Sequence, residues 1–197
     1  MGPNEPLSKK DRPRIVLQAQ GLDRTLLLLS TAAAVAVTLR VALAWQDLPE
    51  TIALHFDLQG RPDGFGSRGI ILLMPAMAWL MNIMLTVVQR FPHIFNYAWP
   101  ITRANARAQY ELAFRLMSWV RLVATLVMAY LGWVMAESAE GAQPALGAWF
   151  LPASGIAVIL ALAAYLVRAY RNRRPEDWAQ YAADDEWEPP PDQLPRP

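Results

Sequence analysis

Four blocks of apolar residues, at 26–45, 70–90, 116–136 and 149–169, constrain this chain more than anything else in it. Each is long enough to cross the roughly 30 Å hydrocarbon layer of a bilayer at about 1.5 Å per helical residue. A soluble core would distribute the same residues into amphipathic stripes. In a chain of 197 residues that is 54% hydrophobic and 18% charged, the blockwise arrangement predicts an all-α membrane protein, a four-helix transmembrane bundle. The lipid bilayer is then its first partner.

The formal net charge of +1 conceals a strong asymmetry, and the asymmetry gives orientation. Lys9, Lys10, Arg12, Arg14 and Arg24 precede the first span. Arg90, Arg103, Arg107 and Arg115 lie beside or between spans two and three, and Arg168, Arg171, Arg173, Arg174 and Arg196 close the last. Against these fourteen cations, the loops 46–69 and 137–148 carry only Arg61 and Arg68. The positive-inside rule therefore places both loops outside and both termini in the cytoplasm of a multi-pass protein of the cell membrane. Ala42-Leu43-Ala44 has the form of a signal-peptidase site, but Arg40 interrupts the apolar run before it, so a retained signal anchor fits better. With no cysteine, neither a disulfide nor a thiolate metal site is open to the chain.

The segments outside the spans divide as follows. Residues 1–25 form a basic cytoplasmic tail, with Pro3, Pro6 and Pro13, and the stretch 15–22 is weakly amphipathic. In the inner loop 91–115, Thr102 is a candidate N-cap for a helix that starts well before the membrane. On that helix Arg103, Arg107, Glu111, Arg115, Ser118 and Arg121 fall within an arc of about 120°, read as a solvated face with a docking surface as the alternative. Glu111 and Arg115 have the favoured i,i+4 order. Residues 137–169 supply a second outer loop and the fourth span. In the tail 170–197, the part after Arg174 holds seven acidic residues, one basic residue and Pro189-Pro190-Pro191, which predicts disorder. Trp178, Tyr181 and Trp187 there are candidates for binding a cytoplasmic protein partner.

Within the membrane, Pro75, Trp79, Asn82, Thr86 and Gln89 share an arc of about 80° and should face the bundle interior. Asn82 lies near mid-membrane, where interhelical hydrogen bonding is its ordinary remedy. Span three offers Ser118, Arg121, Thr125, Ala129, Gly132 and Ala136 as a matching face, and Ala157, Ala161 and Ala164 give span four small-residue spacing. The intramembrane charges Arg40 and Arg121 each lie roughly 7.5 Å from a span end, within reach of a snorkelling guanidinium. Pairing with the acidic outer loop is the alternative for Arg40. No span holds an acidic residue, which argues against a carboxylate-based ion pathway.

The outer loop 46–69 is the most specific part of the sequence. From Thr51 to Gln59 the strongly apolar residues alternate, the period of a short half-buried strand, with Ile52, Leu54 and Phe56 toward the helix ends. His55 and Asp57 then share its polar face, and 60–64 form a turn. His55, Phe56, Asp57, Asp63 and Arg68 are the candidate binding residues. His55, Asp57 and Asp63 are of types that bind metals or carry protons, but nothing completes a metal signature, so no metal is assigned. No catalytic motif is present, and nothing calls for a cofactor or a nucleic acid.

The string LPETIALHFDLQGRPDGFGSRG, an apolar span, and then PHIFNYAWPITRANARAQYELAFRL together resemble the bacterial membrane family of domain of unknown function 1648, which also opens the Sdp-type toxin-immunity proteins. The resemblance rests on Leu48, Pro49, His55, Phe56, Gly60, Asp63, Gly66 and Ser67, then on Phe95, Asn96, Tyr97, Asn105 and Tyr110. It covers a three-span unit at about 26–136. Phe65 stands where the family often has Trp, and Arg68 where it has Lys. The immunity proteins continue into further spans, whereas here a fourth span and an acidic tail follow. The expectation is a non-enzymatic module that signals or confers immunity by sensing through its outer loop. The alternatives are an accessory subunit of a larger membrane complex, a membrane enzyme or a small transporter. Oligomeric state stays open.

Overall fold

The computed structural model describes residues 5–137 and 145–173, so the acidic segment with Trp178, Tyr181 and Trp187 lies outside the described residues. Helix α1 (Leu22–Ala44) is followed by strands β1 (Thr51–Phe56) and β2 (Pro62–Ser67). A 3-10 segment, Arg68–Leu72, runs directly into α2 (Leu73–Val88). A short 3-10 turn, Pro92–Ile94, precedes the long α3 (Ala106–Ala136), and α4 (Phe150–Arg171) closes the described chain. All four helical stretches are long and apolar enough to cross a membrane, Arg68–Val88 counting as one. They alternate in direction, since Asp23 meets Arg115 and Arg40 meets Ala136, while Gln89 meets Ser118 and Gln109 meets Ala169.

Packing follows the small and polar faces. On α1 the buried residues Leu26, Ser30, Ala34, Val37, Val41 and Ala44 recur every three or four positions, the stripe of a helix packed along one side. Gly132 lets three helices meet. A Cβ there would lie 2.6 Å from Val37 Cγ2 and 2.9 Å from Met74 Cβ, so any side chain would push α1 or α2 away. Trp79 on α2 donates its indole N–H to Thr38 Oγ1 of α1 at 3.1 Å. Ile52 of β1 is buried in the same cluster as Ala34, Val37 and Val41, with Leu54 and Phe56 packed on it, so the hairpin continues the helical core.

Helix α4 is attached differently. In its apolar stretch only 6% of residues are buried inside the protein, against 39% in α3. Its small residues do not close onto α3 as their spacing suggested; Ala157, Ala161 and Ala164 line an open groove instead.

Three local expectations need correction. The basic tail and its weakly amphipathic stretch pack on the protein: Leu7 N–H donates to Ile101 C=O at 2.7 Å, and Ile15 and Leu17 pack on Ile101, Ala106 and Tyr110. The apolar positions of 15–22 cover the start of α3 in an extended segment, and α1 begins at Leu22. Regular α3 begins at Ala106, yet Thr102 and Asn105 form a reciprocal box. Thr102 N–H donates to Asn105 Oδ1 (2.9 Å) and Asn105 N–H to Thr102 Oγ1 (3.2 Å), the work of an N-cap with its partner three residues on. Finally, Glu111 pairs with Arg107 at 3.3 Å rather than with Arg115, which turns to Asp23 on α1.

Candidate functional site

The loop 46–69 folds as a β-hairpin, where only its first strand was expected. β2 hides from a hydropathy pattern because Pro62, Asp63, Gly64, Gly66 and Ser67 are poor strand formers. They serve here because the partner strand approaches closely. A Cβ at Gly66 would meet Leu54 Cδ1 at 2.4 Å, and one at Gly64 would meet His55 Cβ at 2.9 Å. Pairing runs from Thr51 opposite Ser67 to Phe56 opposite Pro62, with irregularities on both sides of His55. Leu54 and Asp63 have no cross-strand partner, and the resulting kink re-aims the side chains beside them.

The kink joins His55 to Asp63. Their side chains form a direct Nδ1 to Oδ1 hydrogen bond on the outer surface, the His55 side chain being 75% exposed. Asp57 leaves that surface, contrary to its expected place beside His55. Its carboxylate accepts from the N–H groups of Gln59 (2.9 Å) and Arg61 (2.8 Å) and so organises the turn. Gly60, at φ 77°, completes it; its carbonyl accepts from Leu146 N–H at 2.9 Å, fixing the hairpin tip to the segment before α4. Phe56 packs inward against the helical core, and so is part of the platform rather than of an exposed surface.

Arg68 anchors the other end. Its Nη1 donates to Leu48 C=O at 3.1 Å, its backbone N–H to Glu50 C=O at 2.9 Å, and its guanidinium lies 5.2 Å from the Trp45 ring. Leu48 is buried, Pro49 is exposed beside it, and Ser67 Oγ accepts from Gly69 N–H at 3.4 Å to start the 3-10 segment. Among the exposed side chains of the hairpin are His55, Asp63, Leu58 and Phe65, the last two 79% and 65% exposed, alongside Thr51, Gln59, Arg61 and Ser67. Among the described residues, no group of three or more His, Asp or Glu side chains converges as a metal site would require.

A second polar constellation runs along the α2–α3 seam. Arg121 does not snorkel: it is 2% exposed, and its Nη1 donates to Gln89 Oε1 at 2.7 Å and to Thr86 Oγ1 at 3.2 Å. Inward amide and hydroxyl acceptors compete successfully with the membrane surface, giving charge-assisted hydrogen bonds. Gln89 is itself held by Phe114 C=O and Ser118 Oγ, both at 2.9 Å. Farther along the seam, Asn82 Nδ2, Thr125 Oγ1 and Arg121 Nε are buried without hydrogen-bond partners among the described residues. The interhelical bond expected of the Asn82 amide nitrogen is not made. Arg40, unlike Arg121, is only partly buried and turns toward the hairpin end of the bundle: its Nη2 reaches the last carbonyl of α3, at Ala136, at 3.4 Å, and its guanidinium stands 5.5 Å from the Trp133 ring.

At the opposite end of the bundle from the hairpin, the second stretch of resemblance is structural. Tyr97 stacks on Tyr110 with ring centroids 5.6 Å apart and donates its hydroxyl to Pro92 C=O at 2.9 Å. Burial, with Tyr110 adding to it, raises the Tyr97 pKa far above its ordinary value and keeps the proton in place for that bond. Arg12 binds Phe95 C=O at 2.7 Å and lies 5.5 Å from the Tyr97 ring, while Asn96 is exposed. The contribution of Arg12 was invisible in a segment read as an orientation signal, because it depends on a docking partner some eighty residues away.

Four apolar helices, a hairpin packed on one end and polar contacts concentrated between the first three helices define a multi-pass membrane protein. Residues 32–79 match the family model described as Domain of unknown function (DUF1648). The match takes in most of α1, the whole hairpin and the first half of α2, and stops short of Phe95, Asn96 and Tyr97. An "Uncharacterized protein" of Archaeoglobus fulgidus is 32% identical over 81 residues, 37% of this chain and 44% of the relative. The chain thus spans less than half the length of that relative. No solved structure matches.

Proposed function

We propose that this chain is a non-enzymatic membrane module whose hairpin recognises a molecule outside the cytoplasm and passes the event to the bundle. The positive-inside bias supports this orientation: the end opposite the hairpin carries Arg90, Arg103, Arg107, Arg171 and Arg173. The observation that carries the reading is the hairpin's construction. A platform fixed by Arg68, Asp57 and Gly60 presents two exposed apolar side chains, Leu58 and Phe65, beside a hydrogen-bonded His55–Asp63 pair. Exposed aromatic and apolar groups on a rigid support suit protein or peptide recognition, because little conformational freedom is lost on binding. Signalling and toxin-immunity-like protection are both consistent with such a surface.

Placing a photo-crosslinking amino acid at Phe65 in the native membrane tests this. The expected outcome is an adduct of defined mass whose yield falls at least several-fold in His55→Ala or Asp63→Ala chains that accumulate normally. Absence of any adduct, or adducts indifferent to both substitutions, would refute recognition by the hairpin.

A second reading, a subunit of a larger membrane complex, is favoured by the small buried share of α4. Mild-detergent extraction decides it. A stoichiometric complex with other chains supports the subunit reading, and recovery of this chain alone removes it.

A further inference from the structure

Helix α4 is fastened to α3 at both ends and held off it between. At the hairpin end Tyr130 packs on Phe150 with ring centroids 4.6 Å apart and donates its hydroxyl to Leu146 C=O at 3.0 Å. At the other end Gln109 Nε2 donates to the carbonyls of Ala169 (3.1 Å) and Asn172 (3.2 Å), closing the C-terminus of α4, and Trp99 meets Tyr170 edge-on at 5.9 Å. Between these clasps the small side chains of Ala157, Ala161 and Ala164 face Leu116 and Trp119 across a cavity of about 490 Å³. Small residues on one wall and clasps at both ends make the groove a built feature of the seam.

The chemistry of the groove is polarised. Most of its wall is apolar, and its charged groups belong to Arg115 and Arg168, with Tyr165 and Trp119 the other lining residues that carry a polar atom. Arg115 spends Nε and Nη2 on the Asp23 carboxylate, at 2.9 and 3.1 Å, which leaves Nη1 for another acceptor. Arg168 is exposed and has no partner among the described residues. Two guanidiniums against one carboxylate leave an uncompensated positive charge on the lining of an apolar trough that opens between membrane-spanning helices. The complementary occupant has an anionic head and a long apolar tail. Basic pockets between membrane helices bind phospholipid headgroups in this manner, and guanidinium is well matched to phosphate.

We propose that the α3–α4 groove is a binding site for one anionic phospholipid, its phosphate held by Arg168 and the free Nη1 of Arg115 and an acyl chain lying along Ala157, Ala161 and Ala164 against Trp119. The site stands apart from the hairpin and does not depend on what the hairpin recognises.

Native mass spectrometry of the full chain in mild detergent, titrated with phosphatidylglycerol or phosphatidylcholine of equal chain length, tests the proposal. The expected result is one phosphatidylglycerol retained per chain, with a preference of about tenfold over phosphatidylcholine, in keeping with the attraction of two arginines. Arg168→Gln should reduce that preference at least threefold, while Arg61→Gln at the exposed hairpin turn leaves it unchanged. Ala161→Trp, which fills the groove, should abolish retention in chains whose helical circular dichroism is intact. Equal retention of the two lipids would overturn the proposal, as would a preference indifferent to Arg168→Gln. Failure of the full chain to retain phosphatidylglycerol, as when its own acidic segment occupies the groove, would overturn it too.

Discussion

Arg121 carries a full charge between α2 and α3, and the groups that receive it are neutral: the Gln89 amide and the Thr86 hydroxyl. Placing a guanidinium there costs several kcal/mol of desolvation, and the two hydrogen bonds offset only part of it. Removing one member should therefore hurt more than removing both. Gln89→Leu is expected to destabilise the chain by about 1.5–3 kcal/mol by leaving a charged donor unmatched. The double change Gln89→Leu with Arg121→Met should recover most of that loss, because a neutral pair of similar shape needs no partner. Reversible unfolding in mixed micelles reads both; a double variant weaker than Gln89→Leu alone would show that the charge itself is needed. That Arg121 lies inside a span, on one arc with Ser118 and Thr125, was legible in the sequence. Its inward turn was not, since snorkelling and burial differ by which acceptors lie within reach, and these belong to another helix.

At the scale of elements, the hairpin and α3 show different kinds of legibility. β1 announces itself by alternation, whereas β2 is shaped by steric fit: Gly64 lies under the Cβ of His55, and Gly66 leaves room for the end of the Leu54 side chain. No property of the 62–67 segment alone reveals that. The polar stripe of α3 was visible as a stripe, but its partners divide by neighbour. Arg107 and Glu111 pair within the helix, while Arg115 ties α3 to the first turn of α1 through Asp23, whose side chain is only 9% exposed. Asp23→Arg or Arg115→Asp alone should lower stability by about 1–2 kcal/mol, at the modest end because the Arg115 side chain is 40% exposed. Combining them should restore most of the loss, as measured by thermal unfolding in detergent. Absence of recovery would mean that the contact matters for packing and not for charge.

For the whole molecule, alternation of four helices puts the hairpin at one end and the 91–105 segment at the other. The absence of cysteine makes this directly testable, because single cysteines can be introduced into a silent background. Leu58→Cys and Ile94→Cys replace residues 79% and 55% exposed. In intact cells an impermeant maleimide should label the first and spare the second, which reacts only after lysis. The reverse pattern would invert the orientation, and labelling of both from one side would contradict the topology.

The sequence by itself determined that the chain is helical, crosses a membrane four times and carries a strand-bearing loop with a family motif, because block length and alternation are local properties that solvent and lipid read directly. Only the tertiary structure decided what the polar residues do. It moved Asp57 from a shared face into a turn, joined His55 to Asp63, drew Arg121 into the α2–α3 seam and opened a basic-lined groove beneath α4. The physical reason is common to all four. A buried or kinked polar group takes its role from the partner that satisfies it, and those partners are set by register and by contacts between helices distant in the chain.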